Sequence, residues 1–181
     1  MKLTIKKNTL LALLRCQARS DVRYYLNGIC FRVDGKIVST DGYVLAYGQH
    51  ENQIENEVII AIDKLSTKQF EYAVINTEEN LCQLYDENEV LVGVTMAKLI
   101  DGNYPDIDRL IARVTTNLHQ NGVCQIGFNA GFLAKLEKIA KLFNPQFPAV
   151  KLLLTLETDA CLCELGNNYE QMNVLVMPAK V

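Results

Sequence analysis

Long apolar runs are absent from this sequence, and with them any stretch that reaches the length of a membrane span. The nearest approach is the N-terminal "MKLTIKKNTLLALLRCQARS", whose apolar run is about half of an ordinary signal-peptide h-region, is closed by Arg15 and lacks a small-residue cleavage site. The expectation is a cytoplasmic protein with no membrane partner. Positive charge is also short. With 18 Lys and Arg against 21 Asp and Glu the formal net charge is −3, which argues against a generally basic nucleic-acid binder but leaves room for a clustered basic face. The 2 histidines, His50 and His119, lie far apart. No Gly-rich phosphate loop, no Ser or Cys in a nucleophile motif and no paired-carboxylate signature is present, so nothing seeds an active site. A protein that is not an enzyme and holds no cofactor is expected.

The 6 cysteines do not follow a ligand or disulfide pattern: Cys16, Cys30, Cys82 and Cys124 stand singly inside apolar elements and read as buried free thiols. Cys161 and Cys163, two apart in a probable strand, face the same way and give a weak metal hint, set against histidines far off in sequence. With 49% apolar residues in 181, the chain can bury a proper core in one domain or two small ones.

What the sequence does contain is one plan repeated with a period of about sixty residues. A short strand at residues 3–5 precedes a helix capped by Asn8, with Leu10, Leu13 and Leu14 at helical spacing. Strands at 24–33, 36–39 and 43–47 follow, divided by Asp34-Gly35 and Asp41-Gly42 turns. The second unit predicts a strand at 57–62, Asp63 as the cap of a short helix to about Phe70, then strands at 72–75, 81–85 and 90–95. In the third, "CQIGF" predicts a strand, Asn129 a cap, and Asn144-Pro145 the end of a helix; strands at 151–157, 160–165 and 172–177 close the chain. The fold class is therefore α+β, three β-α-β-β-β units with antiparallel sheets. Between units two and three, "MAKLIDGNYPDIDRLIARVTTNLHQNG" reads as a connector. Its Asp101, Asp106 and Asp108 lack the ligand spacing of a Ca²⁺ loop and suit turns instead. The division drawn is 1–114, a connector at 115–121, and 122–181.

Charge is distributed unevenly over this plan. At about 100° per residue the third helix puts Phe132, Leu136, Ile139, Ala140 and Phe143 on one face and Lys135, Lys138 and Lys141 on the other. Arg15 and Arg19 are spaced i,i+4 away from Leu10 and Leu14, and Lys64 and Lys68 repeat that spacing. Each set alone reads as a solvated helix face; all three together predict a positive track for phosphates. The carboxylates gather in turns such as "ENQIENE", "TEEN" and "YDENE".

"DVRYYLNG", "STDGYVLA", "LIDGNYPDIDRLI", "IGFNAGFL" and "VLVMPAKV" resemble, in order, segments of the bacterial sliding clamp, the beta subunit of DNA polymerase III. Residues 1 to about 114 resemble its complete middle domain and about 122 to 181 the second half of its last domain. The resemblance implies a ring with helices lining a hole that holds duplex DNA and sheets outside. It also implies a pocket for a short apolar motif of partners such as DNA polymerase or clamp loader subunits. Carried over by position, that pocket comprises Leu26, Thr40, Gly42, Tyr43, Val44, Leu45, Pro105, Arg109, Leu110, Leu175, Met177, Pro178 and the tail to Val181. Tyr43-Val44 stand where many clamps carry His-Arg, so peptide preference departs. Arg23 falls where the family places a DNA-contacting arginine. One unit left without its usual partner predicts self-association: a homodimer completing a domain and, given a second interface, a tetrameric ring. The alternative is a clamp mimic that sequesters clamp-binding proteins, or interferes with a host clamp, without encircling DNA.

Overall fold

The computed structural model describes residues 1–117, 126–154, 159–167 and 169–179. Asp34-Gly35 and Asp41-Gly42 turn the chain as their sequence demands, with both glycines at positive φ (82° and 88°). Between such turns the β-branched and aromatic runs form β1 (Lys2–Lys6), β2 (Ile29–Phe31), β3 (Lys36–Thr40), β4 (Val44–Gln49), β5 (Val58–Ile62), β6 (Tyr72–Asn76), β7 (Leu81–Tyr85), β8 (Leu91–Ile100), β9 (Lys151–Leu153), β10 (Cys161–Gly166) and β11 (Gln171–Val176). Among the described residues three helices accompany them: α1 (Lys7–Cys16), α2 (Asp108–Asn117) and α3 (Ala130–Phe143).

The strands join into one antiparallel sheet in the order β1-β6-β7-β8-β5-β2-β3-β4-β11-β10-β9. The first and third units meet where β4 pairs with β11, Leu45 opposite Leu175 and Val44 opposite Val176. Strand alternation then sorts the side chains. Val44, Ala46, Val174, Val176, Cys161 and Cys163 pack in one cluster beneath α1 and α3, with Leu10, Leu13, Leu136, Ile139 and Phe143. Leu45, Leu162 and Leu175 pack on the other face with Cys30, Val38, Ile107 and Val114.

The class and the antiparallel plan are as the sequence predicts; several local elements differ. No helix follows Asp63. Leu65 and Phe70 are the only apolar side chains in residues 63–71, too few to bury a helical face. The Asp63 amide donates instead to the Met96 carbonyl (3.0 Å), and the Thr67 hydroxyl accepts from the Gln69 amide (3.0 Å), a local turn that competes with helix. Conversely, α2 arises inside the expected connector. Ile107, Leu110, Ile111 and Val114 recur at helical spacing, and the Asp106 carboxylate accepts from the amides of Asp108 (3.1 Å) and Arg109 (3.3 Å) at its start. β8 also reaches into that segment, to Ile100.

Residues 24–27 form a 3-10 turn rather than the start of a strand, and β9 stops at Leu153. Residues 155–157 of the expected strand lie outside the described residues, as do Cys124 and Gln125 of "CQIGF"; Ile126, Gly127 and Phe128 are not in a strand. Asn129 caps α3, accepting from the Gly131 amide at 2.8 Å.

Asn8 does not cap α1, which begins at Lys7 without a cap from its own side chains. The Lys7 amide donates to the Glu71 carbonyl (2.9 Å), and Glu170, from the β10–β11 turn, meets Thr9: its carboxylate accepts from the Thr9 amide at 3.2 Å and from the Thr9 hydroxyl. Glu170→Ala removes a cap and an interunit tie, and should cost about 0.5–2 kcal/mol, read as a lowered denaturation midpoint.

Candidate nucleic-acid face and peptide seam

α1 and α3 lie side by side on one face of the sheet, so the basic residues expected on three helices can be placed individually. Arg15 is half-buried at the end of α1 and donates back to the Leu11 carbonyl (3.3 Å); burial lowers its pKa. α1 ends at Cys16 because Gln17 turns to extended backbone and the Ala18 amide donates to Leu26 (3.1 Å) and Thr40 (3.2 Å). Arg19 is therefore exposed but off the helix. Lys64 and Lys68 are exposed on the non-helical stretch, so the i,i+4 stripe predicted for them does not form.

On α3, Lys138 and Lys141 are exposed, Lys141 paired with Glu137 at 2.5 Å. Lys135 departs from them. It forms a half-buried ion pair with Asp41 in the β3–β4 turn and lies 5.8 Å over the Phe132 ring, which itself stacks on Tyr43 (5.7 Å between centroids, 27°). Lys135 thus helps to hold α3 on the first unit. Nearby, burial pushes the Cys16 thiol up to about 12, an inert thiol; the five described cysteines are free and buried, with Cys161 and Cys163 Sγ atoms 3.9 Å apart.

Arg23 is fixed rather than loose. Its guanidinium reaches both oxygens of Asp21 (Nε 3.1 Å, Nη2 2.9 Å), and lies against Gly42, where an added Cβ would sit 3.0 Å away. Hydrogen bonds from the Arg23 side chain and amide hold the Asp21 carboxyl down to about 2. A depressed carboxyl contributes order that is fully present above its ordinary value of 3.8 and is lost as pH falls through about 2. Arg23→Ala should return the Asp21 midpoint toward its ordinary value, as read by a carboxyl NMR titration.

The residues expected to form a peptide pocket divide between the two sheet faces. Leu45 (5% exposed) and Leu175 (2%) sit on the α2 face with half-buried Leu110 and Met177, and the Met177 amide donates to the Tyr43 carbonyl (3.1 Å). Val44 points the other way, under the helices, and Tyr43, 61% exposed, leans onto Phe132. Thr40 is a turn-former: its hydroxyl donates to the Val44 carbonyl (2.9 Å) and accepts from the Gly42 amide (3.0 Å). Leu26 is buried, Pro105 and Arg109 are exposed, Pro178 is half-buried and Val181 lies outside the described residues. Leu45, Leu110, Leu175 and Met177 are therefore brought together on the α2 side of the β4–β11 seam.

Sequence reasoning missed the docking of α2. Asp108 accepts from Arg32 (2.7 Å) and Lys36 (3.0 Å), and these bonds, Lys36's foremost, lower its pKa. The helical spacing of Ile107, Leu110, Ile111 and Val114 could have revealed this element.

An antiparallel sheet spanning three units, with α1 and α3 on one face, is the DNA-clamp fold. Solved structures bear this out: the DNA polymerase sliding clamp of Pseudomonas aeruginosa matches with TM-score 0.64 at 18% identity, over 100% of this chain and 66% of that one. The Helicobacter pylori beta clamp matches with TM-score 0.63 at 14% identity, over 99% and 66%. In sequence, the chain is similar to the beta sliding clamp of Vibrio cholerae (27% identity over 166 residues, 85% of this chain and 42% of the relative) and of Haemophilus influenzae (30% over 126 residues, 63% and 34%). No protein-family model matches. The chain resembles the bacterial beta sliding clamp over most of its own length, and spans less than half the length of the curated relatives it matches. Among the described residues no helix is long and apolar enough to cross a membrane.

Proposed function

We propose that the chain is a sliding-clamp-like processivity factor: copies assemble around duplex DNA and dock partner peptides at the interunit seam, with no chemistry of their own. The β4–β11 ladder carries this reading. It extends one sheet from the first unit into the third and leaves α1 and α3 together on one side, the arrangement a ring needs to turn helices toward DNA. Arg19, Lys138 and Lys141 are the exposed cations offered to phosphates there, with Arg23 beside the seam. Contacts of this kind position duplex DNA without reading its sequence.

Docking uses the α2 face, where a partner's apolar anchor meets Leu110, Met177 and Pro178 and Arg109 rims the entry. Assembly starts at the unmatched third unit, whose Leu133, Phe147, Leu152 and Leu154 are exposed, Leu152 lying on β9, the last strand of the sheet among the described residues. A second copy across a two-fold axis covers them and gives a homodimer.

One observation favours a second reading, a mimic that captures clamp-binding peptides without holding DNA. Lys135, Lys141 and Arg23 are each paired with a carboxylate, which thins the positive track. The test is retention on DNA: chains allowed to assemble in the presence of circular duplex should stay on it through a high-salt wash. The mimic binds clamp-motif peptides and leaves no protein on the circles.

A further inference from the structure

The first half of β8 is an open edge without the charges or proline that normally blunt one. Its single irregularity is a bulge at Val92, where Leu84 pairs with Gly93 and Tyr85 with Leu91, and from Gly93 to Met96 the strand is regular. β7 pairs with β8 from Leu91 to Met96, whereas β5 takes up β8 only at Ala97 to Ile100. On that side residues 91–95 have no strand neighbour among the described residues. The Met96 carbonyl points to the β5 side, where it accepts from the Asp63 amide (3.0 Å), while the Ala97 amide points to the β7 side and donates to Asn80 (2.9 Å). By the alternation of an antiparallel ladder, the N–H and C=O of Val94 face the open side.

The side chains along this edge are apolar and exposed: Val90, Leu91, Val92, Val94 and Met96. Residues 90–97 contain no charge and no proline. The sheet's two terminal strands differ, since β1 carries Lys2 and Lys6 and β9 begins with Lys151. Lysines of this kind guard free edges against strand addition. β8 has none over the stretch that is open.

We infer that this edge pairs with the same stretch of a second copy, antiparallel across a two-fold axis at Val94. Charge selects this occupant. The acidic turn with Asp86, Glu87 and Glu89 precedes the open stretch; Lys98 follows it, and Lys64, whose carbonyl accepts from the Thr95 hydroxyl (3.0 Å), lies at the same end. Antiparallel self-pairing sets the acidic end of each copy against the basic end of the other, twice over. The edge of β9, added antiparallel, would instead bring Lys151 to the Lys98 end.

This contact differs from the third-unit contact proposed above and stands without it. Ring closure alone rests on the processivity reading: two distinct two-folds on one chain, crossing at right angles, close four copies.

The experiment is the solution mass of the full chain with Val94→Lys, beside Leu152→Lys on β9. Val94→Lys should halve the mass of the largest species, and the double variant should be monomeric. Unchanged mass for Val94→Lys overturns the inference whatever the DNA-retention result, and a mass lost only with Leu152→Lys supports the third-unit contact alone. Should the lysine prevent folding, Val94→Cys decides. The described native cysteines are buried, and a hydrogen-bonded pair brings the two new thiols near disulfide reach. A mild thiol oxidant takes one electron pair from two Val94→Cys thiols, whose two S–H protons pass to water as an S–S bond forms between copies, giving a dimer on a non-reducing gel. No dimer, or one formed only between Val94→Cys and Leu152→Cys chains, contradicts the proposal.

Discussion

Leu175→Asp should detach the third unit from the first and lower the stability of the chain by about 3–5 kcal/mol, the scale of an uncompensated buried charge. Leu175 is 2% exposed, lies directly opposite Leu45 in the β4–β11 ladder and packs against Leu162 of β10. The side chains packed around Leu175 are apolar, so the new carboxylate loses its hydration or must take up a proton to stay buried. Leu175→Ala is the graded control. It removes contacts without adding charge and should cost about 2–4 kcal/mol. Denaturant melts read both, and proteolysis should cut the aspartate variant near the seam first. A Leu175→Asp chain as stable as the parent would mean that the ladder does not hold the units together.

The second large effect is electrostatic. Lys138→Glu with Lys141→Glu replaces the two exposed cations of α3 and leaves Glu137 among like charges. DNA affinity should fall by about tenfold or more, with a shallower dependence on salt by about two counterions, as expected when two phosphate contacts are lost. Peptide binding at the seam and the denaturation midpoint should stay close to those of the parent. Lys135 is unsuitable for this purpose: reversing it sets two carboxylates together against Asp41, so loss of DNA binding would be confounded with loosening of α3. Equal DNA binding by the double variant would remove α3 from the DNA face.

Much of the fold is legible from short-range chemistry. Asp-Gly turns, β-branched runs and the leucines of α1 and α3 act within a few residues of one another, and α1, α3 and most strands lie where those patterns place them. The seam was legible only as a likeness, through "STDGYVLA" and "VLVMPAKV", and its sorting into faces needed the register: one residue separates Leu45 on the α2 side from Val44 beneath the helices. Long-range ties could not be read. Asp41 is 94 residues from Lys135 and Glu170 is 161 from Thr9, so neither the Lys135–Asp41 ion pair nor the capping of α1 has a local signal. The second-unit helix was inferred by analogy with its neighbours, where the apolar content of residues 63–71 argues against one. α2 was overlooked for the opposite reason, an Asp-rich stretch hiding a helical repeat.

The most direct measurement is release from circular duplex DNA. Chains assembled on closed circles and washed at high salt should remain bound, then dissociate when a single restriction cut linearises the circle, because a ring is held by topology and not by charge. Protein that leaves in the salt wash, or that remains equally on cut and uncut DNA, contradicts encirclement.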